Sequence, residues 1–371
     1  MWVENRINYI VGTGHAYRVV PKRRRPQSAV DESMIEAAAE VIDEFLEINR
    51  WHSRQQELVR RRDRDGEAFL RFFFSPDGVT RVRFVEPTQI ATPREKADDA
   101  AASFGIQTDP ADVETVQGYY IDGRLVESAA IQHRKANVDA NVKRGLPLYY
   151  PVRKNLRRAE KLLRNMSVVS EIQSAIALIR KHNAGNRESV EQFVADGADA
   201  TVTNRASGAS SHFRRYEPGT ILDAFGGTDY EFPAAGIDAG QFIRVLQAEL
   251  RAIAARLVMP EFMLSSDASN ASYSSTMVAE GPAVRMFERL QHDMLEDDRE
   301  VLRRVIEHAV HSGRLAAETP AAVDIQAVPP SLAVRDRLRE AQADQILVRN
   351  GAMSVGTMAA RHGLEAALEE K

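Results

Sequence analysis

From about Pro151 to His182 the apolar residues Val152, Leu156, Ala159, Leu163, Met166, Ile172, Ile176 and Ile179 recur every three or four positions. That spacing keeps side chains on one face of an α-helix. At 1.5 Å per residue a helix of thirty-odd residues reaches roughly 45 Å. A compact domain of this size seldom needs one so long. Two further helices follow the same logic. One runs from about Ala239 to Leu257 and stops at Pro260; the other runs from about Pro282 to His311, with Pro282 read as its start.

Ahead of the long helix the patterning is different. Trp2 to Val20 reads as a short β segment around a Gly12-Thr13-Gly14 turn, followed by an exposed basic loop at residues 21–26. Asp31 to Ile48 has the apolar spacing of an amphipathic helix. Residues 66–131 read as antiparallel sheet with hairpin turns at Asp77-Gly78 and Asp122-Gly123, where such a pair supplies the positive φ of a tight turn. An Ala/Asp-rich stretch interrupts the sheet at 93–112. Between the first two long helices, residues 183–236 become rich in Gly, Ala, Ser, Asn and Thr, an irregular β module with short strands at 200–203 and 220–225. Charged helical segments at 332–349 and 354–369 close the chain. The fold class expected is α+β.

Composition narrows the function. The 371 residues, 44% of them apolar, suffice for two or three domains. With 49 Lys+Arg against 53 Asp+Glu, the chain as a whole is not a polycation that would wrap nucleic acid, so any DNA contact is local. The absence of cysteine removes disulfides, thiol nucleophiles and Cys-ligated zinc. No apolar run approaches the roughly 20 residues that span a bilayer, and no signal-peptide layout opens the sequence.

Enzyme signatures are missing. There is no Walker phosphate loop, no H-E-x-x-H and no G-x-S-x-G, and Gly12-Thr13-Gly14 lacks the third glycine of a dinucleotide fingerprint. His308 and His311, with Glu307, lie on one helical face and give a rival reading, a metal-dependent nucleic-acid-processing enzyme; the ordinary charged face is preferred. Ser210, Ser211 and His212 read as a flexible loop, since nucleophile and base normally come from distant positions. Two basic clusters stand out: Arg60, Arg61, Arg62 and Arg64, and the helix-face set Arg153, Lys154, Arg157, Arg158, Lys161 and Arg164. The second set suits phosphates or a neighbouring subunit's acidic residues.

The order of elements, and several short stretches, resemble the portal proteins of lambdoid tailed phages. They are Asn8 to Gly14, Arg64-Asp65-Gly66-Glu67-Ala68-Phe69, Val85 to Ile90, Gly118 to Leu125, His133-Arg134-Lys135, Lys143-Arg144-Gly145-Leu146-Pro147, Tyr216 to Ile221, Ala252 to Leu264 with Asp267 to Ser275, Arg349-Asn350-Gly351 with Ser354, and His362 to Glu365. The resemblance implies a ring, commonly of twelve subunits, at one capsid vertex of the virion, assembled in the host cytoplasm. It implies a β-rich wing at 1–150, a first stem helix at 151–182, a clip at 183–236 and a second stem helix at 237–258. A channel loop at 259–276, a long helix returning to the wing within 277–328 and a helical crown at 329–371 complete it. Ser265, Ser266, Asp267, Ser269, Asn270, Ser272 and Tyr273 would face the DNA. The implied partners are further copies of the chain, double-stranded DNA, the terminase large subunit, head-tail adaptors and capsid proteins, with no membrane, cofactor, metal or catalytic residue. Relatives usually carry an additional N-terminal segment and a longer crown, so either the start codon is assigned too late or the chain is a shortened, non-assembling prophage remnant, the alternative within the same family.

Overall fold

The computed structural model describes residues 2–22, 32–182, 200–203, 210–213, 220–225, 239–265, 273–332 and 337–361. In chain order the elements begin α1 Trp2–Ile10, β1 Ala16–Pro21, α2 Glu32–Ile48, α3 Trp51–Asp65, β2 Glu67–Phe74 and β3 Thr80–Val85. They continue with β4 Ile106–Thr108, β5 Val116–Ile121, β6 Arg124–Glu127, β7 Ile131–Lys135, α4 Arg153–Ala175, β8 Ile176–His182, β9 Ala200–Thr203, β10 Ser210–Phe213 and β11 Thr220–Phe225. The last are α5 Ala239–Arg256, α6 Glu261–Ser265, α7 Tyr273–His311, α8 Thr319–Ala322, β12 Val323–Val328, α9 Arg337–Arg349 and α10 Val355–Arg361. The class is α+β, with long helices and mostly antiparallel strands. Residues 1–151 with 256–371 form one unit and 152–255 a second.

In the first unit β2 is the strand on which both cores are built. Its side chains alternate, so Ala68, Leu70 and Phe72 enter one apolar cluster while Phe69 enters another. The larger cluster lies among α1, α2, α3 and α7 and includes Val11, Ile42, Trp51, Leu58, Phe287 and Leu302. The smaller joins Phe69 and Ile131 of the β3-β2-β7 sheet to Ile106, Tyr119 and Ile121 of the β4-β5-β6 sheet. β1 pairs antiparallel with β12, fastening the start of the chain to a strand some three hundred residues on, Val19 opposite Ile325. Asn49, buried at the end of α2, ties that helix to β3: its side chain donates to the Phe45 (2.9 Å) and Thr80 (3.0 Å) carbonyls and accepts from Val82 N (2.9 Å). Asn49→Ala strands buried backbone groups and is expected to cost about 2 kcal/mol, read from the shift in the urea midpoint.

In the second unit α4 precedes two strand pairs, β8 parallel to β11 and β9 antiparallel to β10. Glu249 of α5 accepts from Asn155 (2.7 Å) and pairs with Arg158 (3.2 Å) of α4.

Several sequence expectations are corrected. Trp2–Ile10 is helical rather than β, because Val3, Ile7 and Ile10 follow helical spacing despite being β-branched. α3 lay unrecognised behind its arginines, since two of its buried positions are Gln55 and Asp63. The stem helix expected at 151–182 ends at Ala175 and continues as a strand, where Ile176-Ala177-Leu178-Ile179 abandons three-four spacing for a continuous apolar run. α4 is therefore about 35 Å long. α7 starts at Tyr273 and carries Pro282 inside it: a proline suits a first turn, where no N–H partner is required, but here the helix continues through it. The expected channel loop at 259–276 is helical at 261–265 and from 273 onward. Ser210, Ser211 and His212 stand on β10, not in a loop. Of the basic loop expected at 21–26, Pro21 instead ends β1 and residues 23–26 fall outside the described residues, as do most of 183–236 and Ser266, Asp267, Ser269, Asn270 and Ser272. The expected hairpin turn at Asp122-Gly123 has both residues at positive φ (49° and 80°); at Asp77-Gly78 only Gly78 does (80°).

Candidate functional site

Four sequence stretches that carry the family resemblance converge in the first unit. Glu67, at the head of β2, is buried and accepts hydrogen bonds from Arg144 Nε (2.7 Å) and Gly145 N (3.0 Å), with His133 Nε2 at 3.0 Å. Arg144 also donates to the carbonyls of Pro87 (3.1 Å) and Ile90 (3.3 Å). The Gly66 carbonyl receives Ala136 N at 2.8 Å. Burial opposes ionisation of Glu67, but hydrogen bonds from His133, Arg144 and Gly145 outweigh it and hold its pKa below the ordinary value. Burial also lowers the pKa of His133, despite Glu67 beside it. The imidazole is therefore neutral, and the charge partner of Glu67 is Arg144.

A second buried centre joins β1, α3, β7 and α7. Asp298 of α7 accepts from Tyr17 Oη of β1 (2.5 Å), Gln55 Nε2 of α3 (2.8 Å) and Arg134 Nη2 of β7 (2.8 Å), with His15 Nδ1 at 3.6 Å. Burial by itself would raise the Asp298 pKa; the Arg134 charge and the hydrogen bond from Tyr17, with the His15 ring nearby, overcome that and hold it at about 2. Both join segments distant in sequence, and none of Glu67, Arg144, Arg134 or Asp298 stands out in the sequence as an individual site residue. The available signal was a charged residue beside apolar strand positions, as in Glu67-Ala68-Phe69-Leu70.

The singled-out residues fall elsewhere. Arg153, Lys154, Arg157, Arg158, Lys161 and Arg164 are all exposed on α4, spread over about 140° of its circumference, opposite the less exposed Asn155, Ala159, Leu162 and Met166. Of the cluster in α3, Arg60 pairs with Glu4, Arg61 with Glu57 and Glu86, and Arg64 with Asp65. Arg62 lines a recess of about 380 Å³ with Arg6, Asp63, Lys135, Arg289 and Asp293. Ser265 ends α6, its Oγ donating to the Glu261 carbonyl (3.0 Å), and Tyr273 begins α7. His308 lies 2.9 Å from Thr80 Oγ1 and packs on Phe74, while His311 Nδ1 meets the Glu307 carbonyl. Among the described residues no group of three or more His, Asp or Glu side chains is placed to hold a metal ion.

What this scaffold is follows from comparison with known families. The family model described as phage portal protein, lambda family, matches residues 2–291. The chain belongs to the lambda family of phage portal proteins. A portal protein is a structural component of a virion and not an enzyme, so the Glu67 and Asp298 centres hold the portal subunit together rather than perform chemistry. Three solved structures are similar to it. The neck of an empty gene transfer agent particle matches at 14% identity, covering 98% of this chain and 88% of that one, with a TM-score of 0.44. The virion of a native gene transfer agent particle matches at 16% identity, 98% and 99% coverage and a TM-score of 0.41. An HK97 family phage portal protein from Corynebacterium diphtheriae matches at 13% identity, 88% and 92% coverage and a TM-score of 0.34. No curated protein matches the sequence.

Proposed function

We propose that this portal subunit works as one member of a closed ring, commonly of twelve copies, at a capsid vertex, through which double-stranded DNA is packaged and later ejected. The observation that carries the reading is the family match over residues 2–291. The separation of residues 152–255, bracketed by α4 and α5, from the rest of the chain supports a division into wing, stem and clip. In this reading α4 and α5 are the stem, 183–236 the clip that meets the terminase large subunit and then the head-tail adaptors, and 329–371 the crown. The segment from Ser265 to Tyr273 faces the DNA. It contains Ser266, Asp267, Ser269, Asn270 and Ser272 and no lysine or arginine. A conduit must let DNA slide, and a continuous basic lining would instead hold phosphates through counterion release. ATP hydrolysis belongs to the terminase.

Light scattering of the purified protein, backed by negative-stain images, tests this. Closed rings of about a dozen subunits with a central hole are expected. A strict monomer at high concentration would overturn the ring.

A further inference from the structure

Two exposed helical faces carry opposite charge. On α2, Glu32, Glu36, Glu40, Asp43 and Glu47 lie within about 80° of the helix circumference and span about 22 Å along it. All five are exposed, while Ala38, Val41, Ile42 and Phe45 on the opposite side are buried. Glu32, Glu36, Glu40 and Glu47 have no side-chain hydrogen bond or ion pair among the described residues; the nearby Glu44 pairs with Arg314. On α4 the six cations from Arg153 to Arg164 span about 17 Å. Lys154, Arg157, Lys161 and Arg164 have no such partner among the described residues, and Arg158 is engaged by Glu249.

Both sets repeat at three- and four-residue intervals, so two helices laid side by side would bring carboxylates and cations into register along their length. We infer that the basic face of α4 docks on the acidic face of α2 of a neighbouring copy. The inference rests on the ring reading and names the contact within it. The two faces lie on different parts of the subunit, so their contact is heterologous, and a heterologous contact closes into a ring when its rotation permits. One exposed ion pair contributes little. A row of them steers encounter and selects the partner face, because pairing two like faces sets like charges together. Duplex DNA is the competing occupant of the basic face. Against it stand the matched carboxylate row in the same chain and the sliding requirement, which a strip of six cations would defeat.

Two charge-reversed variants test the contact: Arg157→Glu, Lys161→Glu, Arg164→Glu in one, and Glu36→Arg, Glu40→Arg, Glu47→Arg in the other. Self-association is measured by light scattering, with helicity checked by circular dichroism. Each triple variant is expected to associate at least tenfold more weakly than wild type. A chain carrying all six changes should regain assembly, and so should an equimolar mixture of the two variants, in which each altered face meets its altered partner on another molecule. Wild-type assembly should also weaken as salt rises and the Debye length shrinks.

If the wild type stays monomeric, the ring reading falls and this contact with it. If the wild type assembles and the triple variants assemble equally well, only the contact is overturned. The same holds if the α4 variant keeps its assembly but no longer retains duplex DNA, or if the six-fold variant fails to recover.

Discussion

Replacing Asp298 with alanine is expected to lower the stability of the subunit by about 3–5 kcal/mol, because it removes the closest ion-pair partner of the buried Arg134 guanidinium. Tyr17 and Gln55 lose an acceptor in the same step. Asp297 lies 3.7 Å from Arg134 and is the only other carboxylate paired with it among the described residues, too distant to take over both roles. Urea unfolding at neutral pH measures the loss; a change below about 1 kcal/mol would mean that Arg134 is satisfied elsewhere. The effect has a defined pH dependence. The folded pKa of Asp298, about 2, lies below its ordinary value of 3.8, so its contribution is complete above pH 3.8 and is lost as pH falls through 2. The difference between wild type and variant should therefore narrow across that window. Asp63 and Asp297 act with the opposite sign. Burial raises their pKa, so protonating them on acidification offsets part of what Asp298 loses.

Gly66→Ala and Gly145→Ala are each expected to cost about 3 kcal/mol or more, since the two glycines let two backbone segments touch. Gly66 adopts φ 84°, and a Cβ there would stand 2.2 Å from the Leu146 carbonyl carbon; a Cβ on Gly145 would stand 1.9 Å from the Gly66 oxygen. No side-chain rearrangement relieves either overlap. The double variant should cost clearly less than the sum of the two, because the first change already forces the segments apart. Additive losses in a urea double-mutant cycle would show two independent sites and contradict the shared contact. The same separation would pull Gly145 N and Arg144 away from Glu67, so the glycines and the buried carboxylate act as one unit.

The helices beginning near residues 32 and 239 were legible because their apolar residues repeat with the helical period, and the hairpins because Asp-Gly pairs punctuate alternating strands. α1 was hidden by β-branched residues, α3 by buried polar positions and the start of α7 by Pro282. In each, local composition signals one state while packing against a shared core imposes another. Of the residues singled out for function, the α4 cations are exposed on one face as their spacing requires. His308 is instead absorbed into packing against the 67–85 hairpin.

The mixed class, the hairpins, several helices and the kinship with portal proteins can be read from the chain directly, because they depend on short-range periodicity or on stretches of consecutive residues. Tertiary structure alone decided that 64–69, 85–90, 133–135 and 143–147 meet around one carboxylate, and that β1 closes on β12 three hundred residues later. A buried charge is tolerable only beside its partner. Chain order carries no measure of which partner that is, because the pairing is set by how strands and helices stack around their common core.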